Sequence, residues 1–402
     1  MNTFRFGRQS LLAAIYLMLF IAASQAAQAA GLGANQFNPA MSLILDGKFA
    51  DYQLDPEEYH LPGFAPGPEA HPAEAGLSVQ HTELVFSANV DDLFTGNVTA
   101  AIASHEGATE VEMEEAFVET LGLGNGLTVK AGRFLSGLGY LNSQHAHAWD
   151  FADAPLAYRA LFGNQLGDDG VQLRWVAPTD IYLQLGVELL RGDGFPGGGV
   201  EHGRDARTLF VKLGGDVGES HSWQLGLSRW AADVGGRVTV EEATGDETTF
   251  TGTSAVNAVD LVWKWAPQGN VRERNFKLQL EYLQRDEDGD VTHTAGQTSY
   301  RGKQHGGYVQ GVYQFHPQWR AGVRYDRLGS DNTGSDAAVL AAANLADADY
   351  APKRTSLMVD YSRSEFSRLR LQLNRDESTG DADRQIYLQY VMSLGAHGAH
   401  SF

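Results

Sequence analysis

Two histidines one residue apart, His145 and His147, stand in the stretch His145-Ala146-His147-Ala148-Trp149-Asp150. In extended backbone such a pair points to one side, and imidazole together with carboxylate suits zinc. His145 and His147 are therefore the candidate metal ligands, with loop acids and His202, His293, His305, His397 and His400 as further donors. No third ligand stands at a defined spacing from the pair, so incidental histidine is the competing reading. Zinc is the one cofactor these donors suit, and none is otherwise expected. Ser143 beside His145 is the nearest approach to a hydrolytic pair, but a hydrolase needs a serine, a histidine and an acid together. An enzyme is not expected.

A second set of reactive groups is defined by parity. Val171, Leu173 and Trp175 alternate with Gln172 and Arg174; Ile181, Leu183, Leu185, Val187 and Leu189 alternate with Gln184 and Glu188. Repeating this along the chain puts Arg174, Lys212, Lys264, Lys277, Arg320, Arg324, Arg368 and Arg370 opposite the apolar faces. Glu188, Asp260, Glu281, Asp326 and Asp360 fall there too, with Gln172, Gln224, Gln279, Gln310, Gln372, Asn374 and Gln389. If the apolar faces meet lipid, these residues line an inside, and that inside reads as wet rather than as a packed core. A ring of one sign would select ions, and none is evident. Close opposite charges such as Arg324 and Asp326 also neutralise one another.

The elements that position these groups are two-faced strands. The last, Arg384 to Leu394, has Ile386, Leu388, Tyr390, Met392 and Leu394 on one face and Gln385, Tyr387, Gln389 and Ser393 on the other. Such a strand must pair along both edges in lipid, which predicts closure against the first strand near 42–52. Seven hairpins with short turns lie between, for example around Gly122–Gly126, Pro178-Thr179, His316-Pro317-Gln318 and Glu365-Phe366. The count is about sixteen strands. The other connections are mostly longer: 53–76, 104–110, 136–167, 191–206, 232–254, 286–305, 329–353 and 376–383. Alternation of short and long connections predicts an all-β transmembrane antiparallel up-and-down barrel with short periplasmic turns and long outer loops. Trp263, Trp265, Trp319, Tyr325, Tyr361 and Tyr390 at segment ends suit the aromatic girdles of such a barrel. A soluble sandwich or propeller would also alternate, but its polar faces would not be as charged. Loop 136–167 either folds inward to narrow the pore or outward into solvent.

The ends and the composition agree. Residues 1–30 read as a Sec-type signal peptide: Arg5 and Arg8, an apolar run from Leu11 to Ala23, then Ala27-Gln28-Ala29. Residues 31–402 are then one barrel domain in the outer membrane of a Gram-negative bacterium. The net charge of −20 disfavours nucleic acid, and much of the acidity falls in the predicted outer loops, as at Asp286-Glu287-Asp288 with Asp290. With no cysteine, disulfides and thiolate metal sites are excluded.

The stretch Val129-Lys130-Ala131-Gly132-Arg133-Phe134-Leu135, followed by Gly139, Asn142, Asp153-Ala154-Pro155-Leu156 and Phe162-Gly163, resembles the phosphate-selective-type porins. There a strand ending in Gly-Arg-Phe feeds the long third loop. Residues 38–45, Asn-Pro-Ala-Met-Ser-Leu-Ile-Leu, and 392–400, Met-Ser-Leu-Gly-Ala-His-Gly-Ala-His, resemble a proteobacterial group labelled zinc-regulated or TonB-dependent-receptor-like. The first resemblance implies a porin-like channel for passive diffusion of small hydrophilic solutes or ions. The second implies the alternative, a receptor or uptake protein for a metal ion or metal complex. The partners expected are outer-membrane lipid, lipopolysaccharide and solute, with a homotrimer left open.

Overall fold

The computed structural model describes residues 39–395, apart from 66, 80, 106, 107, 199–204 and 242–244. The expected signal peptide, His202, His397 and His400 lie outside the described residues.

Among the described residues, seventeen strands form one sheet. The first are β1 (Ala40–Tyr52), β2 (Gly76–Val79), β3 (Thr82–Asn89), β4 (Phe94–His105), β5 (Ala108–Thr120) and β6 (Leu127–Leu135). Then come β7 (Gly167–Val176), β8 (Tyr182–Leu190), β9 (Ala206–Val217), β10 (His221–Val240), β11 (Glu247–Trp265) and β12 (Asn275–His293). The last are β13 (Gly296–His316), β14 (Trp319–Gly334), β15 (Lys353–Ser364), β16 (Ser367–Asp376) and β17 (Asp383–Gly395). Strands β2 and β3 both pair with β1 and are two pieces of one stave, so the barrel has sixteen. It closes as expected: β1 pairs antiparallel with β17, Leu45 opposite Met392 and Phe49 opposite Leu388. Closure leaves no open edge, the condition for backbone in hydrocarbon.

The expected faces are present. Leu369, Leu371, Leu373, Ile386, Leu388 and Tyr390 are exposed to the outside, while Arg370, Gln372, Asn374, Gln385, Tyr387 and Gln389 between them are buried inside. This is inverted relative to a soluble protein because lipid, not water, receives the outer face. Introducing a charge there, Leu371→Arg, is expected to cost about 2–4 kcal/mol if the residue sits near the bilayer midplane. Denaturant titration of the lipid-embedded barrel would measure it, and a change near zero would contradict a membrane-facing position.

One expectation fails. Residues 232–254, 286–305 and 329–353 were expected to be loops, yet β10 to β14 run 16–21 residues and continue through much of these stretches. Glu287 faces inward to Arg237, whereas Asp288 is exposed and pairs with Arg301. Outward charge marks where the lipid ends, but the hydrogen-bonded ladder goes on beyond it into water.

Candidate functional site

The long connection between β6 and β7 is tied at its neck. Ser136 N–H donates to the Leu166 carbonyl (2.9 Å). The fully buried Asn142 donates to the carbonyls of Ser136 (2.8 Å) and Leu166 (2.9 Å) and accepts from Leu166 N–H (2.7 Å). The result is an Ω-shaped loop whose ends meet and whose body is free to point either way. It points inward. Gly139, at φ +65°, makes the turn; a Cβ there would meet the Glu281 carboxylate and the Tyr158 hydroxyl. Helix α1 (Leu156–Phe162) follows Pro155, which suits a helix start, and ends at left-handed Gly163. Every residue of α1 is buried.

Wall side chains hold this loop from around the barrel. Glu188 on β8 accepts from Gly137 N–H (2.8 Å) and the Ser136 hydroxyl (2.6 Å). Glu281 on β12 accepts from the amides of Tyr140 (3.1 Å) and Leu141 (2.9 Å) and from the Tyr158 and Tyr308 hydroxyls. Asp326 on β14 accepts from Leu156 N–H (2.9 Å). Lys48 on β1 donates to the Ala152 carbonyl (2.8 Å), Arg368 to His147 and Arg370 to Trp149.

The loop contributes two acids of its own. Asp150 pairs with Lys277, and with Arg320 at 3.1 Å. Asp153 receives Arg324 (2.6 Å), Arg354 (2.9 Å), Gln372 (2.8 Å) and Asn374 (3.1 Å). Burial alone would raise both carboxyls, but the facing cations win. Lys277 and Arg320 hold Asp150 at about 2, and Arg354 and Arg324 hold Asp153 well below the ordinary range.

Apolar packing completes the closure. Leu61 and Phe64 from the β1–β2 connection join Leu156, Leu161 and Phe162 of α1 in one buried cluster. Trp230, Val234, Phe250, Leu283, Tyr300 and Leu328 of the wall join it, with Leu340 of α2 (Ala337–Ala342). The expectation of a wet interior is thus corrected at mid-barrel. Glu188, Asp260, Glu281, Arg324, Asp326, Asp360 and Arg370 do face inward, but they are buried against other protein groups rather than water. Parity reports which side a residue is on; it does not report what fills that side. Arg174, Lys212, Lys264, Lys277, Arg320 and Arg368 lie nearer the short turns and are only half-buried.

The two candidate histidines are brought together, their rings stacked at 5.8 Å. His147 Nδ1 is 2.6 Å from Glu83 Oε1 on β3, and His145 Nε2 is 3.0 Å from Glu115 Oε2 on β5. His145 is held protonated well above its ordinary range: burial opposes this, and hydrogen bonding to Glu114 and Glu115 outweighs it. His293 and His305 are elsewhere, the first beside Thr294 and the second against Tyr282. Ser143 donates to the Tyr140 carbonyl, so no serine–histidine pair is formed there. Sequence reasoning missed His81, Glu83, Glu114, Glu115, Asp153 and Arg354. Glu83 and Arg354 each stand on the inward parity of a recognised strand, which was the available signal.

No family model matches the chain. It is 31% identical over 397 residues to an uncharacterized protein of Aquifex aeolicus (strain VF5), covering 91% of this chain and 80% of that one. Among solved structures, it resembles OmpT, an outer membrane protein of Vibrio cholerae. The loop L8 deletion mutant matches with a TM-score of 0.54 and 12% identity, over 89% of this chain and 100% of that one. The trimer form matches with 0.51 and 10%, over 89% and 99%. The outer membrane channel DcaP of Acinetobacter baumannii gives 0.53 and 12%, over 89% and 96%. These likenesses carry the porin-like barrel and not the phosphate-selective or zinc-regulated labels.

Proposed function

The chain belongs to the same family as that Aquifex aeolicus protein and folds as an outer-membrane barrel, and from this premise we propose that it is a gated porin-like channel for small hydrophilic solutes. Lipid and lipopolysaccharide surround it, and three copies form the assembly, as in the trimer form of OmpT. The carrying observation is the polar character of the contact between loop 136–166 and the wall. Glu188, Glu281, Asp326, Lys48, Arg368 and Arg370 all end on loop atoms. If the loop withdraws, water can satisfy each of these groups, so each of them has a hydrogen-bond partner in both the closed and the open state. A two-state element of this kind can gate. With the loop out, sixteen strands enclose an aqueous channel.

The half-buried inward residues near the short turns bias that channel toward anions. Lys130, Arg174, Lys212, Lys264, Lys277, Arg320 and Arg368 outnumber Glu119 among the half-buried residues there, while Asp260 and Asp360 beside them are buried. Such a mouth raises the local anion concentration. The test is the reversal potential across a potassium chloride gradient, recorded on open channels. Chloride should permeate better than potassium, and Lys212→Glu with Lys264→Glu should lower that ratio at least about twofold. A cation-preferring or unselective open channel would count against the anion bias; an intact chain that never opens under voltage would count against gating.

A further inference from the structure

Where the loop meets β3 and β5, three buried atoms converge on one space: His145 Nδ1, Glu83 Oε2 and Glu114 Oε2. His145 Nδ1 lies 3.3 Å from Glu114 Oε2 and 3.7 Å from Glu83 Oε2. The Glu83 side chain is 1% exposed. His81 adds a fourth donor, its Nε2 2.6 Å from the other Glu114 oxygen. One ligand atom each from His81, Glu83 and Glu114 falls within 4.8 Å of the others. We propose that His81, Glu83, Glu114 and His145 bind one divalent transition-metal ion of the zinc class, which ties the loop to the barrel wall.

Three physical features point to a cation there. The first is size. Four N and O ligands at roughly 2.0–2.1 Å from a tetrahedral ion lie about 3.3 Å from one another, and the His145 contacts are close to that spacing. The second is charge. Two carboxylates face one imidazole nitrogen at 3.3 and 3.7 Å, balanced in the absence of an ion by a proton on the imidazole, and a divalent ion that displaces this proton neutralises both acids and gives all three facing atoms a ligand bond. The third is the supporting shell. His145 Nε2 is 3.0 Å from Glu115 Oε2, so with a proton kept there Nδ1 is the nitrogen that gives up its proton to an ion, and it faces Glu83 and Glu114. His147 Nδ1, 2.6 Å from Glu83 Oε1, fixes the second carboxylate in the same way. Carboxylates orienting imidazoles and imidazoles orienting carboxylates are what a ligand set needs in order to stay in place without its ion. Two imidazoles with two carboxylates favour zinc and its neighbours over calcium or magnesium, which take oxygen ligands. In this scheme His145 is a ligand and His147 a positioning residue.

The test is a calorimetric titration of zinc chloride into the full barrel, folded in detergent and stripped with chelator. One ion per chain should bind at micromolar Kd or tighter, with millimolar magnesium unable to compete. His145→Gln and Glu83→Gln should each weaken binding by at least about 30-fold, and His147→Gln by about 10-fold. His305→Ala, on the outer face, should leave it unchanged. Cobalt in place of zinc should give the visible absorption of a tetrahedral site that His145→Gln removes. Heat-modifiable gel mobility shows that each variant is folded, and Glu114→Gln serves if Glu83→Gln is not. Absence of one-to-one binding, or binding indifferent to His145→Gln and to the folded glutamate variant, overturns the proposal. The readout is metal binding, so the site fails or stands separately from channel gating, which is read by conductance.

Discussion

Replacing residues 137–165 by a short glycine-serine linker is expected to turn a closed barrel into a conducting one. The substitution is geometrically mild. Ser136 N–H already meets the Leu166 carbonyl at 2.9 Å, so the cut ends are neighbours. The staves flanking it, β6 and β7, pair directly from Leu127–Trp175 to Leu135–Gly167 and do not need the loop to stay in register. What is lost is α1, the two acids Asp150 and Asp153, and the backbone atoms that Glu188, Glu281, Arg368 and Arg370 hold. Water takes their place. A sixteen-stranded cylinder without a filled centre carries a continuous aqueous path, so single-channel conductance should rise at least about tenfold over the intact chain. Equal conductance with and without the loop would mean that the loop does not close the barrel.

The second large effect is expected at Asp153. One carboxylate there receives two fully buried guanidiniums, Arg324 and Arg354, together with Gln372 and Asn374. Asp153→Ala leaves those cations with only Asp326 and more distant acids. Removing one partner from a buried ion pair typically costs about 3–5 kcal/mol. Much of that strain is relieved if the loop leaves the lumen and water reaches the arginines, so open events should become more frequent by two orders of magnitude or more. Asp153→Asn keeps the shape and removes the charge, and should show the same direction with a smaller step. Arg301→Ala is the control: its pair with Asp288 is largely exposed and should change stability by less than about 1 kcal/mol.

The sign of the pH dependence follows from the same acids. Asp150 and Asp153 are held below ordinary carboxylates in the folded chain. Their contribution is therefore complete above the unfolded value, near pH 4, and is lost as the pH falls toward the folded values, about 2 for Asp150. The loop should stay seated across neutral and mildly acid media and loosen only in stronger acid.

How much of this could be read beforehand varies by element. The faces of β16 and β17 and the closure of β17 on β1 were legible, because a strand between lipid and interior must alternate at every residue. The tight turns were legible from glycine, asparagine, aspartate and proline. The upper ends of β10 to β14 were not, because runs such as Asp286 to Asp290 look like loop when only hydrophobicity marks a strand. The direction of loop 136–166 was open in the sequence, since its neck bonds serve either direction. Asp153 as a hub was out of reach: Arg354 and Asn374 are more than two hundred residues away and meet it only when the barrel closes. The His145–Glu83–Glu114 group has the same origin, three segments brought together by the loop's inward turn.

The most direct test of a sealed lumen uses the absence of native cysteine. Ser356 on β15 points inward, is fully buried, and its Oγ makes no hydrogen bond, so Ser356→Cys is nearly isosteric and removes nothing. Ser143→Cys, at an exposed position on the loop, is the reference. In the folded barrel a water-soluble maleimide should label Ser356→Cys at least about a hundredfold more slowly than Ser143→Cys, with the difference abolished on unfolding. Equal labelling rates in the folded state would show water standing where the loop is placed, and would contradict the closed barrel.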